Sequence, residues 1–391
     1  MDNIEKQFIE LSKEKEDFIK IQEFYNNLLT NNIIECTLYQ EHLHVAKWLL
    51  KVKLNDINVQ ETNYVFANSC LIRDLEVTKW LLKIKPDVFN IPYLVYAFSF
   101  VCKRGHLELA KQLLCLDEYI KIKDYIVEEI GISSAFISVC ASGYLEIAKW
   151  LLEIKPNIVT FAETNYAFHV SCEMGNLDVA KWLLSIKPDI DISAKNEYAF
   201  KHACLNGLLE FAQWLYTINP TIDISADDEI AFRYACDEGH FEVAQWLFTI
   251  KPTINISAEN EYAFRYACEN GHLEVAQWLL SIKPTINISA NDEIAFCSAC
   301  ANGYLEVAQW LFTIKPTIHI SADNEYAFRW ACLNGHLEVA QWLFTIKPTI
   351  NISADDEYAF RYACDNGHFE VAQWLFTIKP TINISAENEY A

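Results

Sequence analysis

The chain has 391 residues and is 52% hydrophobic, yet it lacks any window of roughly 18 or more uncharged apolar residues, the length a membrane-crossing helix needs. It also lacks basic excess: 53 acidic residues face 31 basic ones, a net charge of −22. A nucleic-acid binder works by neutralising phosphates from a basic surface, and no such surface is visible. The acidity keeps an aromatic-rich chain soluble and leaves a preference for basic partners open. The first residues, Met1-Asp2-Asn3-Ile4-Glu5-Lys6, are polar and of mixed charge, so no secretory signal shows and a cytoplasmic location is expected. There is no phosphate-cradling glycine loop, no nucleophile elbow and no unique Cys/His/Asp set. No enzyme activity, cofactor, metal, nucleic acid or membrane is therefore expected.

What the chain has instead is a beat. Trp48 and Trp80 are 32 residues apart, and so are Trp150, Trp182, Trp214, Trp246, Trp278, Trp310, Trp342 and Trp374. Cysteines from Cys140 to Cys364 and glycines from Gly143 to Gly367 keep the same period. A fixed period of this size marks a stacked array, each unit burying its apolar faces against its neighbours. Ten of the 13 cysteines, from Cys70 and Cys102 onward, hold one helix position per unit. They read as small core residues in a reducing compartment, too far apart for bridges.

One unit, Ser257 to Pro284, gives the local structure. Phe264, Ala267 and Cys268 are spaced i, i+3, i+4 and share one helical face. Gly271 follows as the left-handed residue that ends a helix. Ser257 has N-cap chemistry, and its counterparts Ser225, Ser289 and Ser353 stand three residues before Asp228, Asp292 and Asp356, close to a capping box. The first helix is thus expected over Ala258–Glu269. A second, Leu273–Ile282, shows only the narrow polar stripe Glu274, Gln277, Ser281, so it must be covered on its flanks as well as beneath. Pro284 stops it.

The run Ala267-Cys268-Glu269-Asn270-Gly271-His272-Leu273-Glu274-Val275-Ala276-Gln277-Trp278-Leu279-Leu280 resembles the central stretch of the ankyrin repeat, and matching runs recur from about Tyr39 onward. The resemblance implies an all-α solenoid of about eleven stacked helix pairs, with partners held by loops and inner helices. Departures exist. Tyr262-Ala263-Phe264-Arg265 stands where the family carries Thr-Pro-Leu-His, and Lys283-Pro284-Thr285 replaces Gly-Ala-Asp. The projecting β-hairpin fingers are accordingly expected to be reduced or absent. The style of the units also resembles ankyrin-repeat proteins of large amoeba-infecting DNA viruses.

Along the chain, residues 1–38 lack the signature and read as an N-terminal helical cap. The array follows over 39–391, with a longer connection at about 115–133 and an incomplete final unit at 385–391. That last unit lacks a polar cap, so end-to-end self-association is expected to be open to it.

The face of each first helix opposite Phe264, Ala267 and Cys268 is the candidate binding surface. Tyr198, His202, Tyr234, Tyr262, Tyr266, Tyr326, Trp330, Tyr358 and Tyr362 are its candidate partner-binding residues. They either pack between neighbouring helices or form an aromatic strip of the hot-spot kind. Ile294, Ser298 and Ala301 take the same positions in one unit. The expectation is a non-catalytic scaffold that grips an unknown protein, of a host cell if the viral likeness holds, along its concave inner-helix surface. A ubiquitin-ligase adaptor and a structural spacer are the rivals.

Overall fold

The computed structural model describes residues 98–114, 131–156 and 161–383. They belong to two compact units, Met1–Asp191 and Ile192–Ala391. The expected N-terminal cap, the units ending at Trp48 and Trp80, most of the longer connection and the final partial unit lie outside the described residues.

In the first compact unit, helical residues 98–103 precede α1 (Leu107–Leu114), and the pairs α2 (Gly131–Ala141)/α3 (Leu145–Ile154) and α4 (Phe161–Glu173)/α5 (Leu177–Ile186) follow. The second holds the pairs α6 (Ala194–Leu205)/α7 (Leu209–Ile218), α8 (Ala226–Asp237)/α9 (Phe241–Ile250) and α10 (Ala258–Glu269)/α11 (Leu273–Ile282). It continues with α12 (Ala290–Ala301)/α13 (Leu305–Ile314), α14 (Ala322–Leu333)/α15 (Leu337–Ile346) and α16 (Ala354–Asp365)/α17 (Phe369–Ile378). Within each unit the first helices of successive pairs pack on one another and on their own second helices. Among the described residues there is no strand, in line with the expected loss of the hairpin fingers.

The helix pair follows from local chemistry. At the end of α10, Gly271 has φ +81; its N–H donates to Cys268 O at 3.2 Å and the His272 N–H to Ala267 O at 2.8 Å. This is the double bond pattern of a Schellman cap. The next helix starts at once, the Ala276 N–H donating to His272 O at 3.0 Å. After α11, Lys283 is extended (φ −136, ψ 82), as a residue before proline must be. Pro284 then occupies the second position of a turn closed by Ile286 N–H to Lys283 O at 3.2 Å. Ile286 is thereby returned to the core.

The periodic aromatic residues are inter-repeat contacts. Phe200, Phe232, Phe264, Phe296 and Phe328 are completely enclosed. Each meets the indole of the following pair: Phe232 lies 6.2 Å from Trp278, and Phe328 lies 6.2 Å from Trp374. Trp278 also takes Phe241 and Phe248 edge-on at 5.6 and 5.9 Å. The tryptophan beat is therefore the record of each pair clasping its predecessor. The cysteine ladder is buried as expected. Cys140, Cys172, Cys204, Cys236, Cys268, Cys300 and Cys332 are free and enclosed, while Cys364 is exposed. Burial pushes the Cys140 thiol up to about 12, which leaves it protonated and inert.

One expectation is corrected. Ser225, Ser257, Ser289 and Ser353 make no side-chain cap bond. The residues after them are left-handed: Glu259, Asn260 and Glu261 have φ of 52, 56 and 63. The same three-residue turn opens α6, α8, α12, α14 and α16. Left-handed backbone costs about 1–2 kcal/mol per non-glycine residue, and Asn and Asp tolerate it best. With the chain so turned, the amide three residues on does not face the serine hydroxyl. Ser257 Oγ donates instead to Glu261 Oε2 at 2.5 Å.

Candidate interaction surface

The Ser–Glu pair is the start of a clasp between repeats. Glu261 is buried. Its Oε1 accepts the Asn287 N–H at 3.2 Å from the next connection, and Lys283 Nζ donates to Ser257 Oγ. The same set recurs as Ser225/Glu229/Lys251/Asn255 and Ser321/Glu325/Lys347/Asn351. Each of these three buried carboxylates thus finds donors on its own turn and on the following loop. Sequence reasoning missed this clasp, although the glutamate recurs every 32 residues from Glu197 to Glu357 and the lysine from Lys251 to Lys379, with Asn219 in its place one repeat earlier.

A second missed set is basic. Arg233 Nε and Nη2 donate to the carbonyls of Asp228 and Asp227 at 2.7 and 2.9 Å, closing the left-handed turn from within. Arg265 does the same with Asn260 and Glu259, and Arg329 with Asn324 and Asp323. The guanidinium then reaches the next repeat. Arg233 lies over Tyr262 at 4.9 Å and Arg329 over Tyr358 at 4.9 Å. Arg329 also donates to Asp355 Oδ2 at 2.7 Å.

These arginines frame the predicted aromatic face. Tyr198 packs on His202 at 4.1 Å. Tyr234 meets Tyr262 at 6.2 Å, and Tyr262 stacks on Tyr266 at 4.1 Å. Tyr326 stacks on Trp330 at 5.4 Å, Trp330 meets Tyr358 at 6.3 Å, and Tyr358 lies 4.3 Å from Tyr362. Most of these rings are half-buried, and Tyr362 is 37% exposed. They pack against their neighbours and still present an edge to solvent. In the first compact unit the equivalent Tyr166 is 52% exposed.

The face is interrupted at α12, where Ile294, Ser298 and Ala301 replace the rings. Ser298 and Ala301 are buried, and Ile230 separates Tyr198 and His202 from Tyr234, so the candidate residues form separate aromatic clusters, the larger being Tyr234–Tyr266 and Tyr326–Tyr362, and no single strip. Carboxylates border both. The Tyr262 hydroxyl donates to Asp237 Oδ2 at 2.9 Å. Burial holds the Asp237 and Glu269 carboxyls above their usual range. The Tyr262 and Tyr326 hydroxyls are raised too, first by burial and then by Asp237 and Glu269 respectively.

The histidines after the repeat glycine are packing groups. A Cβ on Gly303 would lie 2.5 Å from His336 Nδ1, and one on Gly335 would lie 2.6 Å from His368 Nδ1. Burial lowers the pKa of His272 and of His336. Among the described residues no group of three or more His, Cys, Asp or Glu could hold a metal. No helix among them is long and apolar enough to cross a membrane.

Helix pairs repeated every 32 residues, each completed by its successor, define a tandem-repeat protein of the stacked helical class. A family model described as ankyrin repeats matches residues 94–196, 135–228, 200–292, 232–324 and 296–388. The chain belongs to the ankyrin repeat family. A crystal structure of an ankyrin repeat family protein from Legionella pneumophila is similar at 21% identity, over 88% of this chain and 93% of that one, with a TM-score of 0.25. Superposition that low does not bear on the fold. No curated protein matches the chain.

Proposed function

We propose that the chain is a non-catalytic scaffold that binds another protein along the surface of its first helices. The observation that carries this reading is the pair of aromatic runs, Tyr234–Tyr266 and Tyr326–Tyr362, whose rings are fixed by stacking yet edged with solvent. Tyrosine and tryptophan held in this way offer large rigid area with little ordering cost on binding. The repeated backbone holds them in place before any partner arrives, which lowers the cost further. Catalysis has no support in the same residues, since the buried thiols are protonated and the buried carboxylates are engaged in the clasp. The likeness of the units to viral ankyrin-repeat proteins makes a host protein in the cytosol the partner to seek.

The test is affinity capture with the full chain, identification of the partner, and titration of that partner against Tyr266→Asp, Trp330→Asp and Tyr362→Asp. Loss of a hot-spot ring costs about 2 kcal/mol or more, roughly thirtyfold in Kd. Unchanged affinity in all three variants overturns the reading.

A further inference from the structure

α12 lacks more than its rings. The arginine position of the other repeats, Arg233, Arg265, Arg329 and Arg361, is Cys297 in this one. What an arginine at that position would touch is nevertheless present. Arg329 stacks over Tyr358 and donates to Asp355, both on the following repeat. At the same offsets Cys297 is followed by Asp323 and Tyr326. Arg233 repeats the ring contact with Tyr262, and Lys201 repeats the carboxylate contact with Asp227.

The left-handed turn before Cys297 is also unchanged, with Asn291, Asp292 and Glu293 at φ of 51, 54 and 64. Its carbonyls at Asn291 and Asp292 are the counterparts of those that Arg233 binds at Asp227 and Asp228. Asp323 and Tyr326 are electrostatic neighbours of Cys297. The Cys297 thiol is pushed up to about 12, first by burial and then by Glu293 and Asp323. Cys297 itself is buried, whereas Asp323, Asn291 and Asp292 around it are exposed and Tyr326 is half-buried. Arg265 supplies an internal check on the logic. Its following repeat offers Ile294 in place of a ring, and its guanidinium turns back over Tyr266 at 5.5 Å.

We infer that the α12 repeat holds a binding site for a guanidinium from outside the chain, seated on Tyr326, paired with Asp323 and hydrogen-bonded to the Asn291 and Asp292 carbonyls. The occupant is an arginine side chain of a basic protein segment. A planar fork matches a carboxylate and two carbonyls, and it stacks on a ring face as a compact ammonium does not. The net charge of −22 draws such a segment in and orients it. The site includes the first ring of the Tyr326–Tyr362 run and follows the repeat that carries Tyr262 and Tyr266, so an arginine anchored there brings flanking residues of the partner onto both runs. The inference rests on the scaffold reading in that a protein supplies the guanidinium.

The experiment fills the site from within. Cys297→Arg restores the residue type that four sister repeats accommodate, so the variant is expected to fold as the parent does. A fluorescently labelled peptide of alternating arginine and glycine is titrated into the full chain at about 0.15 M ionic strength, where long-range attraction is screened. A lysine–glycine peptide is the counterpart. The arginine peptide is expected to bind the parent chain several-fold more tightly than the lysine peptide. Its affinity is expected to drop about tenfold in Cys297→Arg and in Asp323→Asn, and the preference for arginine to vanish. No binding to the parent, equal binding of the two peptides, or equal affinity in parent and Cys297→Arg each overturns the site. If the local site fails while Tyr266→Asp, Trp330→Asp and Tyr362→Asp still weaken an identified partner, the scaffold reading stands without it.

Discussion

Replacing Gly303 by alanine tests how much stability resides in the contact between a repeat's turn and the next repeat's imidazole. Gly303 has φ +84, so any Cβ there carries left-handed strain of about 1–2 kcal/mol. The new methyl would also lie 2.5 Å from His336 Nδ1, 2.6 Å from Cε1 and 2.8 Å from Cγ. The ring must retreat by about 1 Å to reach ordinary contact, and overpacking of that order costs about 1–3 kcal/mol. The total is about 2–5 kcal/mol. In a His336→Ala background the obstacle is gone and Gly303→Ala should cost only the strain.

A double-mutant cycle therefore predicts a coupling of about 1–3 kcal/mol, the double variant being more stable than the sum of the single losses. Gly367 is the control. Its φ is +76 and nothing lies within 4 Å of a Cβ there, so Gly367→Ala should cost the strain alone. Urea denaturation gives the totals. Because a repeat array can lose cooperativity, amide exchange at Tyr304, whose N–H donates to Ala299 O at 2.9 Å, localises the effect. An identical cost for Gly303→Ala with and without the imidazole would refute the packing account.

Two further outcomes follow from the same contacts. His272 and His336 titrate below the ordinary histidine value because burial opposes the charged form. The unfolded chain therefore takes up protons first, and stability present above about pH 6.5 is lost as pH falls through that value. The neighbours of His272 are Asp237, Glu238 and His240, and His336 feels His368. Denaturation midpoints at pH 7.5, 6.5 and 5.5 should fall in that order, and the His272→Gln/His336→Gln chain should show a flatter profile; an equally steep one refutes the assignment. Replacing Glu261 by alanine removes the acceptor for Ser257 Oγ and the Asn287 N–H. It is expected to destabilise the chain by about 1–3 kcal/mol, with faster amide exchange at Asn287; unchanged exchange there would refute the clasp.

The second helix, Leu273–Ile282, and the end of the first at Glu269 are legible in the sequence. A 3.6-residue apolar pattern, a glycine and a proline bracket each helix from both sides. The handedness of the first turn was not legible. Ser257 followed by acidic and amide residues fits a capping box as well as a left-handed turn, and only the destination of the Glu261 carboxylate distinguishes them. Comparing units position by position revealed the aromatic face but suggested one strip. Ile294, Ser298 and Ala301 were visible as replacements, yet a list of side chains does not show that they end one stack of rings and begin another. The missing arginine went unnoticed for a related reason. Arg265 looks like a solvated surface charge until its bonds to Asn260 O and Glu259 O place it inside the turn.

The constant spacing between each phenylalanine and the indole that covers it makes the modules interchangeable. Phe200 and Trp246 stand in the same relation as Phe232 and Trp278 or Phe328 and Trp374. Excising a whole 32-residue segment of the second unit rejoins a ring to an equivalent partner, so unequal exchange within the gene can lengthen or shorten the protein without redesigning the phenylalanine–indole contact. The module containing Cys297 is the exception, because another copy put in its place would carry its own arginine.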